Sequence, residues 1–244
     1  MIVGNWIGRR AQLTPDKVAL IDTLNDQRPI TYRAWHASVN RTARYLQEQL
    51  GVRQGDRVAV LAHNCVEYLD IWFALGRIGA ILQNLNWRLT PGELEGLTVD
   101  AAPVALIYGS AFVSQVNALR DRLPSVEHFV ALGEGTHARA QTSDPSSADH
   151  GDQPFADRQS FSADPLPEID LDWDDPWVIC YTGGTTGTPK GAILTHRAIT
   201  ANAVNTVVSW GLTPDDVAIL NAPLFHTGGL NVFTAPLVYN GGTS

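Results

Sequence analysis

The apolar run Trp177-Val178-Ile179-Cys180-Tyr181 leads directly into Thr182-Gly183-Gly184-Thr185-Thr186-Gly187-Thr188-Pro189-Lys190-Gly191, and no other stretch limits the possible folds so tightly. β-Branched and aromatic residues suit a covered, pleated surface, so the run predicts a short buried strand. Glycines adopt backbone angles that other residues avoid and let the main chain approach a ligand closely. Successive N–H groups in such a loop can converge on an anion. Thr182, Thr185, Thr186 and Thr188 add hydroxyl donors, and Lys190 adds a positive point charge. Together these make a phosphate cradle, although a glycine- and threonine-rich segment is by itself equally well a bare turn. It is not a Walker loop, because Lys190 follows a proline and precedes Gly191 where that pattern has Ser or Thr. Residues 192–195 predict a second strand, so the loop is held between two strands where an ordinary phosphate loop opens a helix.

Upstream, strand and helix signals alternate. Residues 14–22 read as a turn and a strand. Thr31 can cap a helix over 32–50, stopped by Gly51, with Trp35, Val39, Ala43, Leu46 and Leu50 as its apolar stripe. Gly55-Asp56 turns the chain into a strand at 57–62. Asn64 and Glu67 have the spacing of a capping box for a helix that ends at Gly79. A strand at 80–83 follows, then Thr90-Pro91-Gly92-Glu93, a helix start with proline at the first helical position. Further on come a strand at 104–108, a helix at 112–122 and a strand at 127–132. This alternation predicts an α/β fold, a parallel sheet with helices on its faces.

From 133 to 170 the periodicity lapses, and small and polar residues dominate. That stretch reads as a long surface loop or linker, partly disordered, with His137 and His150 solvated. The expected division is an amino-terminal α/β subdomain over 1–170 and the start of a nucleotide-binding subdomain over 171–244. The latter continues with a helix over 196–210, Ala198, Ala201, Val204 and Val208 facing inward, and a strand at 217–220. A final apolar helix is stopped by Gly241-Gly242. The sequence stops where another strand is due, so a truncated polypeptide is expected.

With 244 residues, 44% of them hydrophobic, the chain can bury a sizeable core. A formal charge of -8 argues against nucleic acid as a partner. Cys65 and Cys180 lie in apolar contexts without metal-ligand spacing and read as reduced thiols. The apolar stretch 71–82 is interrupted by Arg77 and is too short to span a bilayer. Residues 1–13 lack the order of a signal peptide, since Arg9 and Arg10 follow the apolar residues. A cytoplasmic location without integral membrane contact is expected.

The string from Tyr181 to Gly191 resembles the phosphate-binding motif of the adenylate-forming superfamily, which includes acyl-CoA synthetases, luciferases and the adenylation domains of peptide synthetases. Ala222-Pro223-Leu224-Phe225-His226-Thr227-Gly228-Gly229-Leu230 resembles the Pro-x-Phe-His segment of the acyl-CoA synthetases. Alone, His226 would more often be a satisfied loop residue; beside the first motif it becomes a candidate substrate neighbour. Ile30-Thr31-Tyr32-Arg33, Gly55-Asp56-Arg57-Val58-Ala59 and Asn84-Leu85-Asn86-Trp87-Arg88-Leu89 look like scaffold landmarks of the same superfamily, in the same order.

The resemblance implies that a carboxylic acid, most similar to a fatty acid, attacks the α-phosphorus of ATP, pyrophosphate leaves, and the acyl-adenylate passes to coenzyme A. It also implies that Thr182, Gly183, Gly184, Thr185, Thr186, Gly187 and Lys190 hold the β- and γ-phosphates. Thr182 would touch Mg²⁺, Lys190 would be the catalytic lysine that anchors the loop, and His226 would border the acid. Gly183 departs from the pattern, which usually has Ser or Thr there; the missing hydroxyl removes a hydrogen bond to a charged group worth roughly 1.5–3 kcal/mol. Members are much longer than this sequence, and their adenine, ribose and carboxy-terminal lysine sites have no counterpart in it. Two other readings stay open. One is a non-catalytic or complementing half that pairs with a carboxy-terminal chain or a second copy through exposed apolar surface. The other is an amino-acid adenylation domain.

Overall fold

A computed structural model describes residues 3–133, 151–182 and 189–244. In chain order the elements are α1 (Trp6–Leu13), β1 (Val18–Asp22), β2 (Arg28–Thr31), α2 (Tyr32–Arg44), β3 (Arg57–Leu61), α3 (Val66–Ile78), β4 (Ile81–Asn84) and α4 (Pro91–Ala101). They continue with β5 (Ala105–Gly109), α5 (Val113–Leu119), β6 (His128–Leu132), β7 (Gln153–Pro154), β8 (Pro176–Thr182), β9 (Lys190–Thr195), α6 (His196–Trp210), the single turn α7 (Thr227–Gly229) and α8 (Ala235–Asn240). Strands β1 and β2 form an antiparallel pair of their own.

The other seven strands form one sheet in the order β7-β6-β5-β3-β4-β8-β9. Every neighbouring pair is parallel except β8 and β9, which are antiparallel. This is the mixed α/β architecture with a mostly parallel sheet that the alternation predicts. Strands from both sides of residue 170 share the sheet. The chain moves from β3 to β4 on one side and then to β5 on the other, so the order reverses between β3 and β5. In open α/β sheets, ligands bind outside the carboxyl ends of the strands at such a reversal.

Local chemistry explains the helices. The Thr31 side chain accepts the Ala34 N–H at the start of α2, and the stripe Trp35, Val39, Ala43, Leu46, Leu50 is buried throughout. The last turn of this helix, Tyr45–Gln49, winds as a π-helix. Helix α3 is buried on all sides from Tyr68 to Ile78 and ends at Gly79, whose φ of 71° is the left-handed cap that glycine provides. At α4 the capping box forms in full: Thr90 accepts the Glu93 N–H, and Glu93 accepts the Thr90 N–H at 2.8 Å. Thr90→Ala is therefore expected to cost about 1 kcal/mol, read as a lower urea midpoint with an unchanged slope.

The core is centred on Trp72 and Trp177, stacked at 5.2 Å with 27° between their planes. Trp177 Nε1 donates to the Trp72 carbonyl at 2.9 Å. Gly76 lies beneath: a Cβ there would stand 2.4 Å from the Trp177 ring. So β8, which leads into the Gly/Thr-rich stretch, is anchored through Trp177 to helix α3.

Four expectations fail. Part of the supposed linker is built structure, because Phe155–Ser160 is a 3₁₀-helix with Phe155 and Arg158 buried. His137 and His150 lie outside the described residues. The capping box of Asn64 and Glu67 does not form; Cys65 is the N-cap of α3 and makes no side-chain cap bond. Helix α6 has the expected bounds, but His196, Ile199, Thr200 and Ala203 are buried, and Ala198, Ala201, Val204 and Val208 are exposed. Residues 217–220 form no strand; a single bridge joins Val217 to Thr243. Among the described residues, no helix is long and apolar enough to cross a membrane.

Candidate functional site

Thr182 closes β8 and Lys190 opens β9, and the two residues are register partners in the antiparallel pair. The Thr182 hydroxyl donates to the Lys190 carbonyl at 3.4 Å. Both residues are exposed, so the hydroxyl and the ammonium stand open at the two feet of the loop. Gly183, Gly184, Thr185, Thr186 and Gly187 lie outside the described residues. The pair is backed by side chains: the Tyr181 hydroxyl donates to Asp100 at 2.6 Å, and a Cβ at Gly191 would meet the Tyr181 ring at 3.3 Å.

Because β8 runs parallel to β4 and β4 to β3, the segments that follow these three strands leave the same edge of the sheet. After β3 come His63 and Asn64; after β4 come Trp87 and Arg88; after β8 comes the Gly/Thr-rich loop. The Pro223–His226 turn is fastened to this edge. Asn64 Nδ2 donates to the Ala222 carbonyl at 2.8 Å, and Asn64 Oδ1 accepts the Leu224 N–H at 2.8 Å. Phe225 meets Trp87 edge-on at 5.9 Å. The Arg88 guanidinium lies over both rings, 4.9 Å from Trp87 and 5.7 Å from Phe225, and His63 packs edge-on against Trp87 at 4.9 Å.

His226 is the N-cap of α7, and its Nδ1 accepts the Gly228 N–H at 3.0 Å. A neutral imidazole that accepts at Nδ1 carries its proton on Nε2. His226 therefore presents a donor to its surroundings. Gly229 makes the turn possible, since a Cβ there would stand 2.3 Å from the Pro223 carbonyl oxygen. His226 lines an open groove of about 450 Å³. Leu194 of β9, Ile199 and Trp210 of α6, and Asn231 line it as well. The groove is mostly apolar, with the His226 imidazole and a few Asn and Thr side chains among its lining.

The structure thus brings the loop's two feet and the His226 groove onto one framework, with β9 running from Lys190 to Leu194. Two contributors were missed at the sequence level. Asn64 has only the spacing of a local helix signal, and Trp87-Arg88 belongs to a scaffold landmark. Only the aromatic–cation composition of 87–88 hinted at the second.

The sequence pattern of the AMP-binding enzymes matches residues 7–244. The chain is 36% identical over 245 residues to the indoleacetate–CoA ligase of Aromatoleum aromaticum, covering 100% of this chain and 44% of that protein. The chain therefore spans less than half the length of that curated relative. Among solved structures, the anthranilate CoA ligase AuaEII in complex with anthranoyl-AMP superposes with a TM-score of 0.86 at 27% identity, covering 100% of this chain and 45% of that one. ATP-bound MatB from Rhodopseudomonas palustris superposes with a TM-score of 0.81 at 27% identity, covering 99% and 44%. From its mostly parallel sheet to the hairpin that carries Thr182 and Lys190, this chain belongs to the AMP-binding enzymes.

Proposed function

We propose that this chain supplies the triphosphate grip and part of the acid pocket of a carboxylic acid–CoA ligase. The whole enzyme activates its acid with ATP, releases pyrophosphate and passes the acyl-adenylate to coenzyme A. The observation that carries this is the β8–β9 hairpin, whose end pair Thr182 and Lys190 leaves one hydroxyl and one ammonium exposed at the mouth of a Gly/Thr-rich loop. The ATP-bound and acyl-AMP-bound structural relatives support it.

Adenylyl transfer asks little covalent chemistry of the protein; positioning and charge stabilisation do most of the work. Lys190 holds negative charge at the loop's foot, and the amides and hydroxyls of residues 182–187 hold the β- and γ-phosphates. Among the described residues no group of three His, Cys, Asp or Glu could cage a metal. A single exposed hydroxyl, Thr182, fits a Mg²⁺ ion held mainly by phosphate oxygens and water, whose contribution when bound is to neutralise phosphate charge. The residues from 171 onward begin the nucleotide-binding portion. The reaction belongs to the cytoplasm, where ATP and coenzyme A are available.

The acid is a fatty acid by the motif resemblance and an aromatic acid by the two ligases named above. Calorimetry of Mg·ATP binding tests the grip: Thr185→Ala with Thr186→Ala is expected to weaken binding about tenfold or more, from two lost hydrogen bonds to charged oxygens. Unchanged affinity would remove these residues from the site. Pyrophosphate release from this chain against a panel of fatty and aromatic acids reports the acid class. The expected result without further sequence is binding and no release.

A second reading has its own observation. Trp210 (56% exposed), Val217 (66%), Ile219 (83%) and Val208 (74%) leave apolar side chains exposed on α6 and at residues 217–219. Such surface favours association, as expected of a half that pairs with another chain. A concentration-independent monomer in sedimentation would weaken that reading by ruling out pairing between two copies of this chain.

A further inference from the structure

We infer that Asn64, from the loop after β3, is the residue that positions His226 and fixes which of its ring nitrogens carries the proton. This rests on His226 bordering the acid, and it adds a residue that no local motif marks.

Asn64 uses both ends of its amide on one target. Its Nδ2 donates to the Ala222 carbonyl at 2.8 Å and also reaches the Leu220 carbonyl at 3.4 Å. Its Oδ1 accepts the Leu224 N–H at 2.8 Å. The two strong bonds therefore straddle Pro223. The Pro223 carbonyl in turn accepts the His226 N–H at 3.1 Å, and His226 Nδ1 accepts the Gly228 N–H at 3.0 Å. The path from Asn64 to the imidazole is a run of hydrogen bonds through one tight turn.

Residues 218–224 lie in no helix or strand, so no ladder fixes Ala222 and Leu224. Leu224 is buried in the main core, which sets the depth of the turn but not its rotation. A planar amide with a donor and an acceptor in fixed relation specifies rotation as well. Phe225, clamped by Trp87 and Arg88, restrains the far side of the turn. Asn64 touches no groove-lining atom of the acid site; it is a positioning residue, and it acts by holding the Gly228 N–H where Nδ1 can accept it.

The test needs no ligand, so its outcome is independent of whether the chain binds ATP. Ring ¹⁵N chemical shifts of His226 are measured at mildly alkaline pH, together with hydrogen exchange of the Leu224 and Gly228 amides. The unsubstituted chain is expected to show the Nε2–H form and protected amides. Asn64→Ala should mix the two ring forms and speed exchange at both amides about tenfold, the loss of roughly one hydrogen bond, with exchange in α2 unchanged. Asn64→Asp keeps the acceptor for Leu224 and loses the donors to Ala222 and Leu220. It should protect Leu224 but not restore the pure Nε2–H form. If Asn64→Ala does not fold, the aspartate variant carries the test alone. The proposal is overturned if both variants keep the ring shifts and Gly228 protection of the parent, if exchange rises equally across α2, or if the parent lacks the Nε2–H form.

Discussion

Arg158→Ala is expected to destabilise the folded chain by about 3–5 kcal/mol, the cost of leaving a buried charge without its partner. Asp70 in α3 is fully buried, and Arg158 holds it with an Nη1–Oδ2 distance of 2.6 Å, its own side chain only 7% exposed. The same Nη1 donates to Ser38 at 2.9 Å and Thr42 at 2.8 Å, while Trp35 Nε1 and Ser38 Oγ donate to the carboxylate at 3.0 and 2.7 Å. The network ties α2, α3 and the 3₁₀-helix at 155–160 into one unit. Burial pushes the Asp70 carboxyl above its ordinary value, with the Arg158 charge and the Ser38 hydrogen bond pulling part of the way back.

Removing Arg158 takes away that counterweight and raises the carboxyl further. A carboxyl whose folded pKa lies above the unfolded one gains stability as it protonates, so the loss in Arg158→Ala should shrink as pH falls and be largest above neutrality. Denaturation midpoints across pH measure this. The double replacement Asp70→Leu with Arg158→Met, apolar and similar in volume, should recover much of the loss. A flat, small effect of Arg158→Ala at every pH would show that water reaches Asp70 and that the pair contributes little.

This ion pair also shows what the sequence could and could not reveal. The α2 stripe was legible because one face is apolar and the other polar, so 3.6-residue periodicity locates the core. Helix α6 carries Ala and Val on both sides, and the periodicity does not choose between them. The buried face is set instead by His196 stacking on Trp177 at 4.8 Å, a contact between residues nineteen positions apart. Arg158 lies in a stretch with neither strand nor helix period; its place is fixed by one long-range charge, for which no local pattern exists. Asn64 had the right spacing for a cap, but its amide went to carbonyls and an amide more than 150 residues away. The pairing of β8 with β9 was legible because strand signals stand on both sides of a glycine-rich stretch. The groove at His226 was not, because its walls come from α6 and the segment at 226–232 and meet only in three dimensions.

The second large effect should come from acid. His196 opens α6 with 1% of its surface exposed, and neither ring nitrogen has a hydrogen-bond partner. Burial pushes its imidazole from the ordinary 6.5 down to about 4, opposed by the Asp175 carboxylate. A folded pKa below the unfolded one means that the unfolded chain binds the proton first. Stability is therefore whole above about pH 6.5, is lost as pH falls towards 4, and is flat with respect to this group below that. The difference of roughly two and a half pH units corresponds to ~3 kcal/mol. His36, also lowered by burial and by Arg77, adds to the same slope. The contribution of His196 is isolated by His196→Phe, which keeps a flat ring against Trp177 and cannot titrate. Its stability should vary less with pH between 6.5 and 4 than that of the parent, so the parent's stability relative to the variant should fall by ~3 kcal/mol across that interval. If the parent and variant curves run parallel through that interval, the folded chain takes up the proton as readily as the unfolded one, and burial does not lower the His196 imidazole. His196 directly follows Thr195, the last residue of β9, so the disturbance from charging the buried ring is expected to reach the strand that Lys190 opens. Nucleotide binding by the parent should therefore weaken over the same interval, before global unfolding, while the phenylalanine variant keeps its affinity.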